Sequence, residues 1–303
     1  MKRRTFIKAS AASLVAMKTE SMTGKLLDTT NHTFDTGNVG IQVRFLGTGA
    51  ADWKGRDERG ELRRLSSILV DKHILIDFTA ENLSMIPEGY KPDTVFYTHS
   101  HNDHYHPESA LKAGIERVYL SHTWHDLAQK DFAKACKELQ LPMPEIIPLF
   151  IGQTISIGNL TITPLPASHA TSNLFEQTLI YLLEKSDARV LYATDTGGIP
   201  AVAARIAGID AHDTQGKSIT GLIMEATMGM EHDNDFRLFT HSSVGCVQRI
   251  VQVLEKTKRY TPKANQYVYL THMARTLHGT QAELDANLPH PLKAAYDGLE
   301  ITF

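Results

Sequence analysis

Thr98-His99-Ser100-His101-Asn102-Asp103-His104 packs four metal-ligand side chains into six positions. Three imidazoles and a carboxylate this dense have no ready account as packing. His and Asp are seldom buried without partners, and unpaired polar groups are costly to bury. A divalent cation supplies a common partner. Just before the run, Pro92-Asp93 leads into Thr94-Val95-Phe96-Tyr97, a β-branched and aromatic stretch that reads as a buried strand. The ligands thus fall at a strand's C-terminal end and in the loop beyond, where α/β folds carry their chemistry. His99 and His101 alternate by two, so an extended segment points them the same way. Asp103 and His104 come after the turn and can face a second ion.

Further along the chain, three more ligand types each follow a short apolar run. Ser168-His169-Ala170 comes after 160–163, Thr194-Asp195-Thr196-Gly197-Gly198 after 189–193, and Thr271-His272-Met273 after 267–270. Any one alone reads as an ordinary hydrogen-bonded loop residue. The repetition of one arrangement favours ligands.

In order and context these residues resemble the metallo-β-lactamase superfamily: an HxHxDH run, a later His, an Asp in a TDTG setting and a last His. Phe45-Leu46-Gly47-Thr48-Gly49 and Leu75-Ile76-Asp77 extend the likeness, which runs over residues 40–303. The resemblance implies an α/β fold, the four-layer αβ/βα sandwich, with a dinuclear site at one edge. It also implies that His99, His101 and His169 bind one metal, that Asp103, His104 and His272 bind the other, and that Asp195 bridges. Asp77 is expected to hold a ligand imidazole in its tautomer. The expected cofactors are two divalent ions, zinc first and manganese second. Such a pair lowers the pKa of a bridging water to about 7 and holds a hydroxide between ions roughly 3.5–4 Å apart, with Asp103 orienting it.

Two further segments bear on the leaving group. Met224-Glu225-Ala226-Thr227 ends an apolar run, and Thr240-His241-Ser242-Ser243 opens an expected helix. They resemble paired motifs of the phosphodiesterase branch, found in ribonuclease Z and in the phosphodiesterase of the carbon–phosphorus lyase pathway. By that resemblance Glu225 orients His241, and His241 is the general acid. The branch has His where this chain has Met224.

Other branches fit less well. True metallo-β-lactamases lack the bridging Asp that Asp195 resembles. Glyoxalase II-type thioesterases add a C-terminal helical domain, and only 31 residues follow His272. Ribonuclease Z carries an arm between its third ligand motif and its bridging Asp; here 26 positions separate His169 from Asp195. The expected substrate is therefore a small phosphodiester, cyclic or nucleotide-like, and not tRNA. A lactone or other carboxylic ester is the runner-up. A di-iron redox protein and a non-catalytic metal-binding protein are further alternatives.

The remaining sequence sets limits. With 303 residues, 42% of them hydrophobic, the chain can bury a large core. Residues 1–24 begin Met1-Lys2-Arg3-Arg4-Thr5-Phe6-Ile7-Lys8, followed by a short, mildly apolar stretch. They resemble a twin-arginine export signal, which implies a periplasmic or exported protein, with a cytoplasmic one as the alternative. Residues 25–303 then form one domain. Residues 1–22 carry a net +4, leaving −7 on the rest of a chain whose total is −3. That balance disfavours polyanions as partners. No apolar stretch is long enough to span a membrane, and a homodimer stays open. Cys136 and Cys246 read as free thiols in helices. Arg63 and Arg64 are candidates for contact with an anionic substrate, although a solvated mixed-charge loop is the favoured reading there; Trp53 reads as a pocket wall or as core, and His278 as a candidate for the pocket lining. His106 reads as the start of a helix, and His122 and His125 as loop residues.

Overall fold

A computed structural model describes residues 40–210 and 216–303. The leader expected at 1–24 lies outside the described residues, as do His32 and His212. The short apolar runs become strands: β1 (Gln42–Gly47), β2 (Ser67–Val70), β3 (Ile74–Ile76), β4 (Thr94–Phe96), β5 (Arg117–Ser121) and β6 (Glu145–Leu149). β7 (Ile155–Ile157), β8 (Leu160–Pro166), β9 (Leu179–Lys185), β10 (Ala188–Ala193), β11 (Gly221–Glu225), β12 (Val268–Thr271), β13 (Leu292–Ala294) and β14 (Glu300–Thr302) follow.

They assort into two seven-stranded sheets, ordered β14-β1-β2-β3-β4-β5-β6 and β13-β12-β11-β10-β9-β8-β7. Each sheet is antiparallel on one side and parallel on the other: β3 to β6 run parallel in the first, β10 to β13 in the second. The helices are α1 (Pro107–Lys112), α2 (His125–Leu139), α3 (Ala201–Ile206), α4 (Val244–Lys256) and α5 (Gln281–Asn287). His106 caps α1 and Ser243 caps α4, each accepting a backbone N–H in the first turn.

Strand parity builds the layers, because successive side chains leave a strand on opposite faces. In β4, Phe96 points between the sheets, while Val95 points to α1 and α2. In β10, Val190 and Tyr192 point between the sheets, and Leu191 and Ala193 point to α3 and α4. Both faces are covered, so these strands are apolar almost throughout. Between the sheets Phe96 stacks on Tyr119 at 4.4 Å and meets Tyr181 of the other sheet edge-on at 5.7 Å. Burying each such ring stabilises the fold by roughly 1.5–3 kcal/mol. Three apolar layers between helices, sheet, sheet and helices make the four-layer αβ/βα sandwich. Cys136 and Cys246 are free. No described helix is long and apolar enough to cross a membrane.

Candidate metal centre

Strand C-terminal ends deliver the chemistry, parallel strands supplying all of it but His169, which follows the antiparallel β8. Asp77 follows β3, His99 and His101 follow β4, and His169 follows β8. Asp195 follows β10, Glu225 ends β11 and His272 follows β12. Asp77, Asp195 and His272 have left-handed backbones, with φ of 56°, 48° and 51°. Three such non-glycine residues at one edge cost on the order of 1–3 kcal/mol each. Each turns the chain sharply off its strand and aims the side chain across the sheet edge.

The seven candidate ligands come together. His99 Nε2 lies 2.9 Å from His101 Nδ1, which lies 3.2 Å from His169 Nε2. His104 Nε2 lies 3.3 Å from His272 Nε2 and 3.3 Å from Asp103 Oδ2. Asp195 divides its oxygens: Oδ2 is 3.1 Å from His104 Nε2 and 3.3 Å from His272 Nε2, and Oδ1 is 3.9 Å from His169 Nε2. One cluster is thus His99, His101 and His169, the other Asp103, His104 and His272, with Asp195 between them.

The protons explain why a cation fits. A carboxylate only accepts, so His104 Nδ1–H donates to Asp77 Oδ2 at 2.8 Å. Thr98 Oγ also donates to Asp77 Oδ2, at 2.8 Å, and so accepts from His99 Nδ1–H at 2.9 Å. His169 Nδ1–H donates to the Thr240 carbonyl at 3.1 Å. Thr227 Oγ donates to Glu225 Oε2 and accepts from His272 Nδ1–H at 2.9 Å. With each Nδ1 proton committed, the Nε2 atoms of neutral His99 and His169 present lone pairs toward His101 Nδ1, and those of His104 and His272 face each other with lone pairs once His104 gives up its extra proton. Lone pairs cannot bond each other, but a divalent cation satisfies them together. Zn–N bonds of about 2.0–2.1 Å in a tetrahedral site place two imidazole nitrogens about 3.3 Å apart, close to the spacings seen.

The charges agree. Burial pushes His99 well below the usual imidazole range and lowers His169, which keeps them neutral as ligands must be. Burial also opposes charge on His104, yet Asp195, Asp103 and Asp77 raise it well above its ordinary value. A cation there displaces the proton those carboxylates otherwise retain. Asp195, buried against its own ionisation, is held well below the carboxylate range by His272 and His104.

Glu225, fully buried, ends β11 facing this cluster. Its Oε1 accepts from the Thr196 backbone N–H, directly after Asp195, and its Oε2 accepts from Thr227 and, at 3.1 Å, from His241 Nδ1. Burial works against charge on His241, but Glu225 carries its pKa up to about 9. His241 Nδ1 is 3.8 Å from Asp195 Oδ1, and the His241 ring stacks on His272 at 5.7 Å. Met224 is fully buried and points the opposite way, into the α3/α4 layer. The departure from the branch motif at this position therefore leaves the site's lining unchanged.

Three supporting residues are not conspicuous in the sequence: Thr98, Thr227 and Glu176. Glu176 accepts from the Ser100 N–H at 2.7 Å, from Ser100 Oγ at 2.6 Å and from Thr171 Oγ at 3.0 Å. It ties the loop between His99 and His101 to the loop beyond His169. Several expectations need correction. Arg63 is buried, donating to Thr48 Oγ, the Ala295 carbonyl and Gln281, so it is a strut and unavailable to substrate. Arg64 is engaged by Asp297. Trp53 is buried and donates Nε1–H to the Met273 carbonyl at 2.8 Å, steadying the chain after His272. His278 donates Nε2–H to the Ala226 carbonyl at 2.7 Å, a prop behind the Glu225–Thr227 segment.

A model of the beta-lactamase superfamily domain matches residues 75–273, and the chain belongs to that family. It is a metal-dependent hydrolase of that superfamily. No curated protein matches its sequence. Among solved structures, it is similar to a diphosphatase of the PhnP family: 22% identity over 87% of this chain and 98% of that one, TM-score 0.59. Zn(2+)-bound PqqB from Methylobacterium extorquens is 16% identical over 86% of this chain and all of that one, TM-score 0.60. The short form of human tRNase Z is 14% identical over 86% and 98%, TM-score 0.59. At these identities the likeness is one of fold.

Proposed function

We propose that the protein hydrolyses small phosphodiesters, with two divalent ions held by His99, His101 and His169 on one side, by Asp103, His104 and His272 on the other, and by Asp195 between. The observation that carries this reading is the Glu225–His241 pair. A carboxylate-backed imidazole stands beside the two clusters with its Nδ1 occupied, leaving Nε2 to deliver a proton. Departure of an alkoxide from phosphorus needs such a donor. Zinc or manganese, when bound, would acidify water and neutralise charge on the phosphoryl oxygens.

The residues divide the remaining work. Asp103 accepts a hydrogen bond from the attacking water and so aims its lone pair at phosphorus; the proton that water gives up as it bonds phosphorus passes to solvent. As the new P–O bond forms and the old one breaks, His241 Nε2–H passes to the departing oxygen. Glu225 stabilises the imidazolium before transfer, and its bond to Thr196 N–H fixes the loop that carries Asp195. The acidic balance of the chain beyond residue 22 supports a small substrate over a nucleic acid.

The test is a screen of bis-p-nitrophenyl phosphate, 2′,3′-cyclic nucleotides, lactones and a cephalosporin with zinc- and manganese-loaded protein. Phosphodiesters are expected to give the highest kcat/KM. Preference for a lactone by orders of magnitude would overturn the reading.

A further inference from the structure

The four most exposed large apolar side chains among the described residues are Phe175 (88%), Leu174 (86%), Phe239 (82%) and Phe236 (76%), with Val253 next at 59%. They are not scattered. All four sit on two loops that are fastened to the ligand residues. Phe236 and Phe239 bound a short 3-10 helix that runs directly into Thr240 and His241. That segment is held down at three points: Ser168 Oγ donates to the Phe239 carbonyl at 3.1 Å, His169 Nδ1–H donates to the Thr240 carbonyl, and Gly197 leaves room for the Leu238 carbonyl, which a Cβ there would approach to 2.4 Å. Leu174 and Phe175 lie between His169 and Thr178, whose Oγ donates to the His169 carbonyl at 3.1 Å, and Glu176 beside them grips Ser100.

Solvated phenyl and isobutyl groups are unfavourable on a monomer's surface, and a concentration of them marks a contact site. Neither loop suits a polyanion. Residues 170–178 hold no Lys or Arg, and 230–240 hold one, Arg237, bonded to Asp235 and lying over the Phe236 ring. Glu231, Asp233 and Asp235 make the second loop acidic.

We propose that these loops form an apolar flank that binds the hydrocarbon part of the substrate. The substrate class is then a phosphodiester carrying an alkyl or aryl group, with its apolar part against Phe236 and Phe239 on the His241 side and Leu174 and Phe175 on the His169 side. This deepens the phosphodiesterase reading and rests on it for the bond that is cleaved.

The test is a series of methyl, butyl and octyl p-nitrophenyl phosphate diesters below their micelle concentrations, with matched carboxylic p-nitrophenyl esters alongside. Half-burial of each methylene corresponds to about a twofold gain, so kcat/KM is expected to rise about tenfold from methyl to butyl. In F175S/F239S that ratio is expected to fall to within about twofold, while Val253→Ser, an exposed position near the C-terminal end of α4, keeps it. Calorimetric affinities of methyl- and butylphosphonate give the same comparison without turnover. Carboxylic esters cleaved in place of phosphodiesters would sink the phosphodiesterase reading alone; the chain-length slope on whichever series turns over still decides the flank. A flat slope in the unmodified protein overturns the flank, as does a slope that survives F175S/F239S. So does a dimer in light scattering that F175S/F239S abolishes, since a second copy would then occupy the surface.

Discussion

Two carboxylate relays support the centre, one from each sheet, and they differ in what they serve. In the first, Asp77 holds His104 directly and His99 through Thr98. In the second, Glu225 holds His241 directly and His272 through Thr227. Both carboxylates are fully buried and each backs two imidazoles. Yet the first relay serves two residues of the ligand clusters, whereas the second serves one such residue and His241, which stands outside them. The same device, a carboxylate that fixes a tautomer and raises basicity, thus does two jobs. On the proposed reading, behind a ligand it would strengthen a metal bond, and behind His241 it would retain a transferable proton.

That contrast can be broken by mutation. The largest effect is expected at Asp195, which spans both halves: Asp195→Ala should lower kcat by several orders of magnitude and the bound metal, read by elemental analysis, by about one equivalent. Next, His241→Ala should cost about 10²–10⁴-fold on diesters with poor leaving groups, far less on nitrophenyl esters, and leave metal content unchanged. Equal losses on both would remove its role as acid. Asp77→Asn should do the reverse, weakening metal binding about 10–100-fold in chelator competition with similar losses on all substrates. If Asp77→Asn spared the metal and Glu225→Gln lost it, the division between relays would be the wrong way round.

The smallest effect concerns His278, which props the second relay. Burial lowers its pKa from 6.5 to about 4. The unfolded chain therefore binds the proton more readily, so its contribution to stability is present above pH 6.5 and is lost as pH falls toward 4. Between pH 7 and 5 the loss should be about 1–2 kcal/mol. His278→Gln should flatten that part of the pH dependence in urea melts.

The candidate ligands that the structure brings together were legible because the sequence writes them as a run, or as lone polar residues after apolar strands. Asp77 was legible through its place after Leu75-Ile76. Thr98 and Thr227 were not, since threonine at a strand end is ordinary and its relay role appears only when β3 lies beside β4 and β11 beside β12. Glu176 is 76 positions from Ser100, and no local pattern predicts that meeting. Arg63 misled because charge suggests solvent, while the fold supplies it with three acceptors, two of them buried. At Met224 the sequence showed a missing motif residue, and strand parity shows that its side chain belongs to another layer.

The left-handed backbone at Asp195 and His272 has a consequence for any laboratory that evolves this protein. Glycine adopts that conformation freely, so strain at these two positions is relieved by the same change that deletes the ligand. Under selection for soluble expression alone, with no demand for turnover, glycine at either position is favoured by its backbone. Libraries screened by yield should therefore drift toward chains that express well and catalyse nothing, and metal in the growth medium is the condition that holds the drift in check.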